Sequence, residues 1–144
     1  MLMTTCLRRL ALAAACAFLA PAASLHAQSG QTDGKASITV DAEKAKTGAG
    51  LWATRTCAAC HTIGKGVLVG PDLAGVLERR ELPWLIRWMK EPDVMLRTDS
   101  TAKAMLAEFN NIPMPNLSLT DAEIEALLHY IAQESAKAGK AGTK

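Results

Sequence analysis

An all-α fold is predicted by three observations. Apolar residues recur at helical spacing in four segments: 43–56, 81–90, 100–109, and from Thr120 to about residue 135. No stretch alternates apolar and polar residues long enough to make a convincing strand. Clusters of Gly, Pro and Asn at 64–71 and 110–116 separate the helical segments as loops.

The chain has 144 residues, enough for one ordinary domain. Its first 27 residues read as a secretory signal peptide. Arg8 and Arg9 form a basic start, Leu10 to Leu19 is apolar and uncharged, and cleavage fits after Ala22 or Ala27. The apolar run is too short to span a membrane. Leu7 and Leu10 give little support to a twin-arginine signal, and the run before Cys16 is short for a lipoprotein site. The protein is therefore expected in the periplasm. Residues 28–45 are rich in Gln, Ser, Gly, Thr and Lys, and are expected to form a flexible N-terminal arm. The domain is expected over 46–135, with a disordered Ala/Gly/Lys tail over 136–144.

Export alters both the charge and the thiol inventory. The full chain has 16 Lys and Arg against 14 Asp and Glu. Loss of Arg8 and Arg9 leaves the two signs equal, which excludes the basic excess that nucleic acids or membrane surfaces require. Cys6 and Cys16 also leave with the signal peptide, so the mature chain keeps Cys57 and Cys60 alone.

Each helix has a local cause. Segment 43–56 carries Leu51 and Trp52 and leads into the two cysteines. Segment 81–90 has Pro83 in its first turn and places Leu85, Trp88 and Met89 on one face; Pro92 ends it. Segment 100–109 starts at Ser100. In the last, Thr120 and Glu123 make a capping box, and Ile124, Leu127, Leu128 and Ile131 form an apolar stripe. About 90 residues give a marginal core. A large apolar prosthetic group would complete it.

Cys57-Ala58-Ala59-Cys60-His61 supplies that group. C-x-x-C-H is the attachment signature of a c-type haem, with both thiols bonded to the porphyrin and the imidazole beneath the iron. A structural zinc site needs two further Cys or His ligands, and only His129 remains. A thioredoxin-like site needs an α/β pattern, which is absent. One covalent haem c is the expected cofactor, with His61 as its expected proximal ligand. The Pro71 carbonyl, in the loop that follows, is the expected acceptor for the second ring nitrogen of His61.

The sixth ligand must come from elsewhere in the chain. His129 points away from the apolar stripe at about 100° per residue and reads as a solvated surface residue. Met89, Met95 and Met105 read as packing residues. Met114 differs, since it stands in a loop between Pro113 and Pro115, where a stiff backbone presents its thioether. His61 and Met114 are thus the expected metal ligands.

These motifs together resemble the class I monohaem cytochromes c of bacteria, from about Gly48 to Gln133. The matching features are Gly48 to Trp52, Cys57 to His61, Gly70-Pro71-Asp72-Leu73, Met114-Pro115, and Tyr130-Ile131 in the last helix. The resemblance implies that the first and last helices cross near Gly48, with Trp52 and Tyr130 packed at the crossing. It also implies that Trp84 or Trp88 hydrogen-bonds a haem propionate. Asp93 and Asp99 read as turn and cap residues.

The expected function is that of a soluble periplasmic electron carrier. With both axial positions filled, no site is left for a substrate at iron, so the chain is not expected to be an enzyme. Its partners would be transient redox proteins such as a dehydrogenase, a reductase or a terminal oxidase. The alternative is a haem c subunit of a larger periplasmic oxidoreductase. A peroxidase-like enzyme or gas sensor would need a labile or missing sixth ligand.

Overall fold

Asp41 opens the ordered chain by accepting the backbone N–H groups of Glu43 and Lys44 at 2.9 and 3.0 Å. This cap starts helix α1, Ala42–Thr54. The computed structural model describes residues 38–141. The expected signal peptide and residues 28–37 of the expected arm lie outside the described residues. Among those described, the chain is helical with no strand. After α1 come a 3-10 turn at Cys57–Ala59, α2 (Val76–Arg79), α3 (Leu82–Lys90), α4 (Pro92–Thr98), α5 (Ser100–Glu108) and α6 (Asp121–Ala141).

The four expected helices form, and the structure adds two short ones. Pro92 does end α3, but it also starts α4, because a first-turn proline loses no helical hydrogen bond. Four-residue α2 is announced by no apolar period; Gly75 starts it in the left-handed region at φ +67°. The capping box forms as expected. Glu123 N–H donates to Thr120 Oγ1 at 3.2 Å, and Thr120 N–H donates to Glu123 Oε2 at 2.8 Å. Asp99 caps α5 by accepting from Ala102 N–H at 2.9 Å.

Two boundaries move. The expected arm reached residue 45, yet Ala45 is fully buried in α1 and Ile38 packs against the core. The expected disordered tail began at 136, yet α6 continues as helix to Ala141. Alanine favours helix wherever a helix is already nucleated, so the Ala-rich segment extends α6.

Helices α1 and α6 make the main packing pair. A Cβ on Gly48 would stand 2.1 Å from the Ala126 carbonyl oxygen, so only glycine permits this approach. One turn further along α1, the Trp52 and Tyr130 rings meet at 5.8 Å and 53°. The core joins Leu77, Leu85 and Leu119 to Ile124, Leu127 and Leu128 of α6.

His129 corrects the sequence reading. It is buried, and its Nδ1 accepts the Asp41 N–H at 3.1 Å. Helix α1 covers the side of α6 that a single apolar stripe would leave to solvent. The buried face therefore extends to Ala126 and His129.

Candidate haem site

The chain leaves α1 through Thr56, which adopts φ 58°, and turns at once into Cys57. Cys60 and His61 N–H groups both donate to the Cys57 carbonyl, at 3.2 and 3.0 Å. This tight turn gathers both thiols and the imidazole on one side. No disulfide joins the two cysteines. Burial pushes the Cys57 thiol up, so it is neutral at neutral pH.

The following loop folds back over the motif. Gly70 N–H donates to the Cys60 carbonyl at 2.8 Å, and Leu73 N–H to that of Thr62 at 2.9 Å. This brings the Pro71 carbonyl to 2.9 Å from His61 Nδ1. A carbonyl only accepts, so Nδ1 carries the proton and Nε2 keeps its lone pair. Gly70 lies against the same ring. A Cβ there would stand 2.6 Å from His61 Cε1, so the flat imidazole needs the glycine beside it.

Asp72 ties this loop together. Its carboxylate accepts from the backbone N–H groups of Gly64, Gly66 and Ala74 at 2.7, 2.6 and 2.8 Å. Burial pushes its carboxyl up. The backbone donors of Ala74, Gly64 and Gly66, with the Thr62 hydroxyl, outweigh that and hold the pKa at about 2.

Cys57, Cys60 and His61 line one cavity together with Met114. Apolar residues complete its wall, among them Trp52, Leu73, Val76, Trp88, Leu96 and Phe109. The donor set fits a haem: two thiols for the vinyl groups, an imidazole whose Nδ1 is engaged on Pro71, a thioether, and apolar surface for the porphyrin faces. Among the described residues, no three His, Cys, Asp or Glu side chains gather as a metal site. The two cysteines therefore lack the companions that a zinc ion would need.

Met114 reaches the cavity from the loop between α5 and α6. Asn110 and Asn111, at φ 58° and 57°, end α5 and turn the chain back. Asn116 then donates to Asp93 Oδ1 at 2.8 Å and holds this loop against the first turn of α4. Met89 and Met105 line the same cavity, which the sequence did not reveal. Met105 Sδ lies 4.0 Å from an Arg80 guanidinium nitrogen, and Met89 packs against the core. Met95 is fully buried and lies outside the cavity lining.

Trp84 ties two helices together. Its indole N–H donates to Asp99 Oδ2 at 3.2 Å, so that donor is engaged within the protein. Its ring stacks on Trp88 at 5.6 Å, and Arg80 lies 5.6 Å over its face. Asp99 is thus a cap that also holds a tryptophan. A helix period carries no sign of this, because the pair joins two helices.

Helices closed around a cavity with two thiols and an imidazole define a protein built for covalent haem. A family model for cytochrome c matches residues 45–135. The chain belongs to the cytochrome c family; its cofactor is a covalently attached haem c with iron, and its work is electron transfer. Among solved structures, the cytochrome c from Rhodothermus marinus is similar, at 27% identity and a TM-score of 0.64. That match covers 70% of this chain and 86% of the other. An engineered cytochrome c from the same organism, bound to a carbene intermediate, matches at 27% identity with a TM-score of 0.60. It covers 69% of this chain and 84% of that one. No curated protein sequence matches the chain.

Proposed function

We propose that this cytochrome c is a soluble periplasmic electron carrier with His61 and Met114 as axial ligands. Bound haem supplies a one-electron Fe(III)/Fe(II) couple. The observation that carries the reading is the His61 ring, locked through Nδ1 on Pro71 and bordering the cavity that Met114 also lines. Cys57 and Cys60 anchor the group, and the apolar wall excludes water from its faces. A thioether opposite an imidazole raises the reduction potential relative to a second histidine. With both axial positions taken by side chains, the site moves electrons and offers substrates no open coordination position.

Several observations support Met114 over its neighbours. Pro113 and Pro115 stiffen its backbone, and Asn116 latches its loop to α4. Met105 already contacts Arg80. Among the described residues no helix is long and apolar enough to cross a membrane. Export rests on the leader at 1–27. Partners would dock transiently through a small surface.

The visible spectrum of the oxidised holoprotein tests the ligand. A weak red thioether-to-iron band is expected, lost in Met114→Ala and kept in Met105→Ala. A band that survives Met114→Ala would sink the assignment. N-terminal sequencing of the haem protein from a periplasmic fraction tests export; an intact Met1 would refute it.

A further inference from the structure

We propose that Asp72 is a positioning residue for the iron: its carboxylate fixes the loop that presents the Pro71 carbonyl to His61, and so sets the strength of the His61–haem bond. This inference rests on His61 being the proximal ligand.

Two chain segments must stay in register for the 2.9 Å contact between His61 Nδ1 and the Pro71 oxygen. One carries the imidazole and runs on through Thr62, Gly64 and Gly66. The other carries Pro71. Asp72 is the junction. Its Oδ1 takes the Gly64 and Ala74 N–H groups, and its Oδ2 takes that of Gly66. Gly64 and Gly66 adopt φ +79° and +88°, a conformation open to glycine that brings both amides to one carboxylate. Arg79 braces the same segment by donating to the carbonyls of Asp72 and Ala74, at 3.1 and 2.5 Å.

The lever on the imidazole is short. The Pro71 carbonyl and the Asp72 amide share one peptide plane, so the acceptor cannot tilt unless Asp72 moves. A well-aligned acceptor makes the imidazole a stronger donor to a metal. A stronger donor favours Fe(III), and a slack one favours Fe(II). Two glycine amides alone would not hold this loop, since glycine-rich chain is intrinsically loose. Three hydrogen bonds to a charged acceptor are shorter and stronger than neutral ones.

Two variants of the holoprotein test this. Asp72→Glu keeps the charge but adds a methylene, so its oxygens no longer match all three amides. Asp72→Asn loses the charge but retains an oxygen for Gly64 and Ala74. The readouts are the solvent exchange of the His61 Nδ1 proton by paramagnetic proton NMR, and the reduction potential. Asp72→Glu is expected to speed the exchange about tenfold. It is also expected to shift the reduction equilibrium about tenfold towards Fe(II), about 59 mV for one electron. Asp72→Asn is expected to move both readouts in the same direction, because its side-chain NH2 would face the Gly66 N–H that Oδ2 accepts and the charge is lost. A glutamate or an asparagine variant that matches the unmodified protein in both readouts would overturn the proposal.

The unmodified holoprotein provides the control. If it shows no paramagnetically shifted His61 proton, the ligand reading fails first, independently of Asp72. If Asp72→Glu does not retain haem, native-state exchange of the unmodified protein decides. The Gly64, Gly66 and Ala74 amides and the His61 proton are expected to open together. A His61 proton that stays protected while those amides exchange freely would refute the role.

Discussion

At the scale of single residues, the site is a set of local solutions to one packing problem. The His61 ring is held through Nδ1, whose acceptor is the Pro71 carbonyl. Gly70 is present because a Cβ would collide with the ring. Thr56 pays for the geometry. A β-branched residue at φ 58° is an outlier, and the left-handed conformation costs roughly 1–2 kcal/mol for a residue with a Cβ. Asparagine tolerates that conformation better, so Thr56→Asn is expected to stabilise the holoprotein by about 1 kcal/mol. Denaturant unfolding checks this; a loss of stability would mean that the Thr56 hydroxyl bond to the Arg55 carbonyl, at 2.7 Å, outweighs the strain. That Cys57, Cys60 and His61 share one turn and one cavity was legible, because they lie within five residues of sequence. The partners of Trp84 and His129 were not, since Asp99 and Asp41 reach them from other helices.

Among the elements, the crossing of α1 and α6 organises the rest. It places Thr54, the last residue of α1, just ahead of the cysteines, and Thr120 just after the Met114 loop. Arg55 pairs with Glu123 there and joins the two ends. Gly48→Ala is expected to cost about 3 kcal/mol, because its Cβ would meet a backbone carbonyl that has no room to retreat. Chemical denaturation measures this, and a cost below about 1 kcal/mol would contradict the crossing at Gly48. The long helices and the capping box were legible from period and caps. Helices α2 and α4 were not. Each is two turns or less, too short for an apolar period, and Pro92 serves as the stop of one helix and the start of the next.

For the whole molecule, two carboxylates link the haem loops to acid stability. Backbone N–H of Thr120, then Arg55 and the Thr120 hydroxyl, hold the Glu123 carboxyl at about 2, below its ordinary 4.5. Asp72 is likewise held at about 2, against 3.8. Both folded values are depressed. Their contribution is therefore complete above the unfolded values and is lost as pH falls through the folded ones. Stability is expected to decline between about pH 4.5 and about 2. Glu123→Gln should be less stable than the unmodified protein at neutral pH, with the gap closing across that window. Urea midpoints at several pH values test this; a gap that persists at the acid end would refute it.

Read along the chain, the residues establish a helical domain and covalent haem, because spacing, caps and thiol chemistry act within a few residues. Folding decides which side chains meet in space. It brings Met89 and Met105 to the wall that Met114 also lines. It buries His129 under the cap of α1, and it closes three amides on Asp72. Each of these depends on where separate segments converge, and convergence is settled by packing against a shared core and not by any local period.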